Sequence, residues 1–468
     1  DTRRWGEKSR EEMNERDWRI FKEDMRISTR SAINTATATT ANRNANRRRN
    51  TTATTRAVPN PARNWDECTL PRALVKLVRD VAGYTHPRPI QMAAIPLALA
   101  RHDVIALAET GSGKTAAFML PTLTHVSQKP PLLDSTAAAR GPYALVLAPT
   151  RELAQQITQE SSMFADALGI RVISLVGGAD IEQQALSLQR GCEVIIATPG
   201  RMLDCLERHY IVLHQCSTLV LDEADRMLDM GFEPQVQAVL RMLPEEHEER
   251  HTMMFSATMS SGVERLAQAY LSDAVTVAVG EIGRSTDNVT QRVEFVASED
   301  AKKRRLVQLL RECEPPIIVF VNTKSGCDQT LRFINEHQLA THSNNSSKLR
   351  CVSMHSGKAQ AVREDNMSGF RTGRYECLVA TDVLGRGIDV PNVNHVINFD
   401  MPSKIEPYVH RIGRTGRAGR KGTAWTFLTH ADAPIFQQLH DTLVASKNAT
   451  IPSELSKALR HASTRSIH

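Results

Sequence analysis

Residues 108–115 read AETGSGKT, between an apolar run, VIALA at 104–108, and an apolar stretch of helical character. Gly111 and Gly113, with Thr110 and Ser112, permit a tight turn whose backbone N–H groups face inward at a helix start, where negative charge is favoured. Lys114 is placed to reach outer phosphates, and Thr115 to offer a hydroxyl to Mg²⁺. The usual pattern opens on Gly, and Ala108 takes that place here. An unrelated Gly-rich turn is the plain alternative. The strand before and the helix after argue against it.

A second stretch, STLVLDEADRMLDMGFE at 217–233, ends an apolar run in Asp222, Glu223 and Asp225. A helix N-cap accounts for one acid there, but not for a second. A triphosphate arriving with Mg²⁺ supplies the missing reason, since a hard cation takes carboxylate and hydroxyl oxygens. Asp222 is expected to hold the metal with Thr115, and Glu223 to orient the attacking water. Asp225 is expected to reach neighbouring motifs instead. The third stretch, HRIGRTGRAGR at 410–420, repeats a basic residue about every third position. A solvated or RNA-facing basic helix is the bland reading. An arginine finger, which neutralises transition-state charge and is worth about 10³–10⁵ in rate, is the sharper one.

These stretches need a scaffold. The 468 residues suffice for about two to three domains. A composition 41% hydrophobic and 24% charged is that of an ordinary globular chain. The net charge of +6 is compatible with a polyanionic partner without requiring one. The eight cysteines form no CxxC pair, so reduced thiols in the cytosol or nucleus are expected, and no metal-ligand spacing appears. No apolar run approaches the roughly 18 residues of a membrane span, and no signal peptide is visible. The chain opens on Asp1 rather than Met, and the expectation is a piece of something longer.

Residues 1–30 are densely charged, with Trp18, Phe21 and Met25 at helical spacing, which predicts an amphipathic helix docked either on a partner or on its own protein. Residues 31–57 are almost all Ala, Thr, Asn and Arg, a composition that predicts disorder. Strands are expected at 104–108, 144–149, 172–176, 193–198, 218–222 and 252–258, then at 316–322, 350–355, 375–382, 393–400 and 423–428. Helical segments separate most of them, which predicts βαβ units and parallel sheets. GEIGRSTDN near 280–290 is an expected linker, 340–350 an expected polar loop, and the patterning weakens after 446.

Further motifs run in a fixed order: Trp65 and PIQ (89–91), PTRELA (149–154), GG (177–178), TPGR (198–201), SAT (256–258), VFVNT (319–323) and ATDVLGRGID (380–389). With the three stretches above, this series resembles the DEAD-box RNA-dependent ATPases over about residues 58–445. The resemblance implies two tandem RecA-like α/β domains behind a charged, partly disordered extension: 1–64 extension, 65–280 first domain, 281–445 second domain, 446–468 tail. It implies ATP with Mg²⁺, the adenine read by Gln91 with Trp65 stacking nearby, and Asp389 on the ribose. Lys114, Thr115, Asp222 and Glu223 keep the roles above, with His410 in the network around the γ-phosphate and Arg414 and Arg417 as fingers. Ser256 and Thr258 would link the ATP site to RNA. Arg151, Gly178, Thr198, Gly200 and Arg201 would grip RNA in the first domain; Thr323, Gly357, Gln360, Arg363, Thr381, Arg386 and Gly387 would do so in the second. That set is poor in aromatics and suits backbone and 2′-hydroxyl contacts without base reading.

The flanks, ERDWRIFKEDMRIST (15–29) and PNPARNWDE (59–67), resemble the branch of the family that acts at the 5′ splice site when the tri-snRNP joins the spliceosome. This implies nuclear work in pre-mRNA splicing by a monomeric core, with the N-terminal segment meeting tri-snRNP proteins. The long 31–57 insert and Ser356, where Gly is usual, depart from the pattern. Ribosome assembly, mRNA export, and an ATP-gated RNA clamp with incidental turnover are the alternatives.

Overall fold

The computed structural model describes residues 3–31, 57–109, 111–132, 139–244, 250–280, 288–337, 348–382, 393–416, 420–446 and 448–465. The chain divides into two compact units, Asp1–Gly283 and Arg284–His468. The composition-biased segment and the polar loop expected at 340–350 lie almost wholly outside the described residues, as does most of the expected linker.

The first unit is built on eight strands: β1 (Ile27–Ser31), β2 (Val104–Leu107), β3 (Ala144–Leu147), β4 (Val172–Leu175), β5 (Val194–Ala197), β6 (Thr218–Leu221), β7 (His251–Ser256) and β8 (Val275–Val279). Their order across the sheet is β1-β8-β2-β7-β6-β3-β5-β4. Every pairing is parallel except β1 with β8. Parallel strands need helical crossovers, so helices cover both faces and the central strands read as continuous apolar runs. Successive residues of one strand accordingly enter opposite cores: Val104 and Ala106 face one, Ile105 and Leu107 the other.

The second unit holds β9 (Val289–Phe295), β10 (Ile317–Phe320), β11 (Cys351–Met354), β12 (Cys377–Ala380), β13 (His395–Asn398), β14 (Gly422–Leu428) and β15 (Ala449–Thr450), in the order β11-β12-β10-β13-β14-β9-β15. All its pairings are parallel. Ile318 and Phe320 enter one core, Ile317 and Val319 the other.

All eleven expected strands form, each shortened or shifted by a residue or two at its ends. β1, β8, β9 and β15 are additions. β9 takes Val289 and Thr290 from the stretch read as linker, and the weakly patterned tail forms β15 and the helix Ser453–Arg465. The N-terminal helix is Glu15–Asp24, capped by the Asn14 side chain. It docks on its own unit: Phe21 is fully buried, Trp18 nearly so, and Trp5 meets Phe21 edge-on at 4.8 Å. Among the described residues no helix is long and apolar enough to cross a membrane.

Beneath the first sheet, His125 and His251 meet at 5.6 Å in an edge-to-face pair. His251 Nε2 donates to the His102 carbonyl at 2.8 Å and His125 Nε2 to that of Leu99 at 3.4 Å. Burial pushes His251 down to about 3 and His125 down to about 4, from an ordinary 6.5. Below about pH 6.5 the unfolded chain therefore binds protons that the folded unit refuses. Stability is complete above that pH and falls toward the folded values, by up to about 1.4 kcal/mol per pH unit for each imidazole. His251→Gln keeps a donor for His102 and removes one titration. The urea midpoint of this unit should fall less steeply from pH 6.5 to 4 in that variant than in wild type; equal slopes would refute the assignment.

Candidate nucleotide and nucleic-acid sites

In the first unit β2, β7 and β6 are neighbours, and their carboxyl ends carry AETGSGKT, SAT and DEAD in turn. The register sets Leu107 beside Ser256 and Leu221 beside Met254, so the three loops emerge at one end of the sheet. Open parallel sheets bind ligands in the crevice at the carboxyl ends of their strands.

The loop after β2 turns through Gly111 at φ 81° and Gly113 at φ 92°, left-handed values that favour glycine, and starts the helix Lys114–Ser127. Ser112 Oγ donates to the Glu109 carbonyl at 2.7 Å. Lys114 is buried and its Nζ donates to the Ala108 carbonyl at 3.1 Å, so the ammonium lies along the inside of the loop. Thr115 follows on the first helical turn and is half-buried; Thr110 lies outside the described residues. Gln91 is buried. Its Oε1 accepts from the Arg88 N–H at 2.8 Å, and its Nε2 donates to the Gly113 carbonyl at 3.0 Å. Arg88 donates to the Gly111 carbonyl. The side chain expected to read a base thus braces the phosphate loop here.

Trp65 requires a correction. It is fully buried, with its indole N–H on the Tyr84 carbonyl at 2.7 Å, so neither ring face is open to a base. Its indole holds the Tyr84 backbone, and Tyr84 is 39% exposed.

The three acids after β6 are all buried, and each has a different environment. Asp222 Oδ1 accepts from the Glu223 N–H at 3.0 Å; burial pushes its carboxyl up to about 7, against the pull of the Lys114 charge. Glu223 sits at φ 52°, a left-handed conformation that costs a non-glycine residue about 1–3 kcal/mol, and it meets Arg226 at 3.4 Å. Asp225 accepts at Oδ2 from the Thr258 hydroxyl at 3.0 Å, while its N–H donates to Ser256 Oγ at 3.3 Å. Asp225 does reach the neighbouring motif, and SAT is tied to the acids directly. A buried carboxylate held by one backbone N–H in the field of Lys114 fits a hard divalent cation that arrives with its phosphates. Among the described residues, no cluster of three or more His, Cys, Asp or Glu would hold an ion unaided.

On the same sheet end, β3, β5 and β4 lie side by side and end in PTRELA, TPGR and GG. Arg151 lies over Gly178, where even a Cβ would fall 2.0 Å from its Nη1. Arg201 donates from both Nη atoms to the Ala179 carbonyl, each at 3.1 Å. Thr198 caps the helix Pro199–Glu207 with its backbone, and Gly200 is half-buried on its first turn. The five expected RNA contacts of this unit form one patch.

In the second unit the helix Ile405–Ile412 carries His410 and Arg411, both buried, and Arg414 follows, 1% exposed. This excludes the solvated basic helix. Arg411 Nε and Nη2 hold Asp382 at 2.5 and 2.9 Å; Nη1 donates to the Asp400 carbonyl at 2.7 Å and Nη2 to Asn322 at 2.8 Å. Arg414 Nε donates to the His410 carbonyl at 3.2 Å. Arg417, Asp389, Arg386 and Gly387 lie outside the described residues. Thr323 caps the helix Lys324–Glu336, accepting from the Gly326 N–H at 3.0 Å. Gly357 and Gln360 lie in and just after the turn that follows β11, Arg363 is buried with Nη1 on Gln360 Oε1 at 3.2 Å, and Thr381 is buried past β12.

Residues 88–266 match the DEAD/DEAH box helicase family model, and residues 301–419 match the helicase conserved C-terminal domain. The DEAD-box ATP-dependent RNA helicase 21 of Oryza sativa subsp. japonica is 48% identical over 97% of this chain and 59% of its own length. The pre-mRNA-splicing ATP-dependent RNA helicase prp28 of Neosartorya fischeri is 46% identical over 97% of this chain and 55% of its own. The chain thus spans a little over half the length of these curated relatives. The crystal structure of the yeast DEAD-box splicing factor Prp28 aligns with a TM-score of 0.54 at 35% identity, over 98% of this chain and 97% of that one. S. cerevisiae Dbp5 bound to RNA and ADP BeF3 aligns with a TM-score of 0.70 at 28% identity, over 85% of this chain and 100% of that one.

The contacts of Arg411 make it a structural cation. A lysine cannot match its planar fork. Arg411→Lys should lower the stability of the second unit by roughly 2–3 kcal/mol, less than a fully buried pair because Asp382 is half-exposed. Trp425, the only tryptophan after residue 65, reports this in chemical denaturation. An unchanged midpoint would contradict the role.

Proposed function

The chain belongs to the DEAD/DEAH box helicase family, and from that premise we propose that it is an RNA-stimulated ATPase that remodels short RNA duplexes in pre-mRNA splicing, at the 5′ splice-site handover in the nucleus. The observation that carries the reading is the bond from Thr258 Oγ1 to Asp225 Oδ2. It ties the acids beside the phosphate loop to the strand end next to them, so a change at the nucleotide is felt across the sheet end that also bears the Arg151–Gly178–Arg201 patch.

On this reading ATP is the substrate. Asp222 and Thr115 would hold Mg²⁺, which would supply neutralisation of phosphate charge. Lys114 leaves the Ala108 carbonyl for the outer phosphates. Gln91 exchanges the Gly113 carbonyl for the adenine edge, and Tyr84 offers the ring that Trp65 cannot. Glu223, held by Arg226, orients the attacking water. His410, Arg414 and Arg417 of the second unit complete the site when ATP and RNA draw the units together. RNA lies along the backbone-and-hydroxyl contacts of both units, which carry no base code. At about 1.4 kcal/mol per base-pair step, bending one strand out of a few steps frees a short helix. The splicing role is supported by the prp28 relatives and by the flanking residues. Trp18 and Phe21 of the N-terminal helix are buried in their own unit, so tri-snRNP proteins would meet its exposed face, Glu15, Arg16, Arg19 and Glu23.

Glu223→Gln should keep ATP and RNA binding while lowering RNA-stimulated phosphate release by about 10²-fold or more. ATPase assays with and without single-stranded RNA check this. A wild-type rate indifferent to RNA would overturn the reading, and a Glu223→Gln protein that still sustains splicing would favour the clamp. Capture by the full chain should yield splicing ribonucleoproteins; ribosomal precursors alone would move the process elsewhere.

A further inference from the structure

A cluster of titratable side chains with a defined geometry lies at the end of β11. His355, 6% exposed, is bound at both nitrogens. Its Nδ1 faces the Gly357 N–H at 3.1 Å, and its Nε2 faces Asp328 Oδ2 at 3.1 Å. A backbone N–H only donates, so Nδ1 must accept, and the ring proton must sit on Nε2, donating to the carboxylate. Asp328 Oδ1 in turn receives Ser353 Oγ at 2.9 Å and Lys358 Nζ at 3.2 Å. Burial pushes the Asp328 carboxyl up, but the hydrogen bonds from Ser353, Lys358 and His355 outweigh it and hold it below the usual carboxylate range. The acceptor that fixes the imidazole is therefore a carboxylate near neutral pH.

The bonds serve one short turn. The Lys358 N–H closes it on the His355 carbonyl at 3.1 Å, and its outer edge, Ser356 and Gly357, is exposed. The helix Gln360–Arg371 begins two residues later. The turn is packed tightly from within: a Cβ on Gly357 would lie 3.0 Å from His355 Nδ1 and 3.6 Å from Lys324 Cδ.

We propose that Asp328 and His355 are positioning residues for the RNA-gripping turn: the carboxylate fixes the imidazole tautomer, and the imidazole fixes the Gly357 backbone that RNA meets. This rests on the proposal above that Gly357 and Gln360 contact RNA.

Asp328→Asn tests it with little change of shape. Ser353 and Lys358 both donate at Oδ1, so the asparagine oxygen takes that place and its NH₂ turns toward His355 Nε2. The ring must then accept at Nε2 and carry its proton on Nδ1, against the Gly357 N–H. The full chain is assayed with single-stranded polyuridylate. Asp328→Asn should raise the half-saturating RNA concentration about tenfold, the worth of one hydrogen bond, with the RNA-free rate and the rate at saturating RNA within about twofold of wild type. His355→Ala should do the same, and the double variant should be no worse than the worse single, because both act through one bond. Nitrogen-15 spectra of the labelled imidazole should report the Nε2–H form in wild type and the Nδ1–H form in Asp328→Asn. The inference is overturned if Gln360→Ala weakens RNA stimulation while Asp328→Asn leaves it untouched, or if the two effects simply add. If RNA does not stimulate the wild-type protein, this inference and the function it rests on fall together.

Discussion

Charge withdrawn from water at the ends of parallel strands is the constraint that shapes both units. A buried carboxylate is costly unless something stabilises its ionised form. After β6 three acids face that cost within four residues, and each meets it differently. Asp225 has hydroxyl and backbone donors, and Glu223 has a guanidinium. Asp222 has one backbone N–H and the field of Lys114, and its carboxyl is pushed up to about 7. Asp222 is thus the least compensated of the three acids, the one where an incoming cation would be most strongly favoured. The strained backbone of Glu223 belongs to the same economy, since the sharp turn off β6 keeps all three carboxyls at the strand end.

The second unit handles the opposite charge in the same way. Arg411 is fully buried, yet its three nitrogens each have an acceptor inside the unit, and its guanidinium lies 5.3 Å from the Phe320 ring. It is therefore occupied in joining the segments after β10, β12 and β13. A guanidinium so fully engaged cannot also reach a phosphate, which separates Arg411 from its neighbours in HRIGRTGR. The helix Ile405–Ile412 and the turn after it hold His410 and Arg414 buried rather than solvated.

Much of this was legible in the sequence because parallel sheets write themselves plainly. Strands buried on both faces are short apolar runs, and the loops that follow them carry the unusual residues. AETGSGKT, DEAD, SAT and GG were each readable at a strand end for that reason. What stayed hidden depends on contacts distant in sequence. The burial of Trp65 follows from its packing and from a bond to Tyr84, 19 residues on, which no local pattern around the residue reveals. β1 is polar and lies at a sheet edge, where alternation is weak. β9 was masked by the polar stretch that precedes it. The internal ties of Arg411 span up to 89 residues, and no local pattern distinguishes them from the spacing of its basic neighbours.

The N-terminal segment shows how such distant contacts change a functional reading. Without β1, the apolar VTVAV of β8 would be an open edge, a ready site for unwanted pairing. β1 pairs along all five of its residues and replaces that edge with ISTRS, polar in all but its first residue. The segment before it is then locked to the core. Lys8 and Asp17 form a buried pair at 2.9 Å; Arg10 donates to the carbonyls of Asn60 and Glu67 at 3.1 Å; Arg63 reaches back to the Lys8 carbonyl at 2.7 Å. The turn so clasped carries Trp65, and through its indole the carbonyl of Tyr84. A segment whose charged, aromatic sequence suits a partner or its own protein equally is here a wall of the first unit.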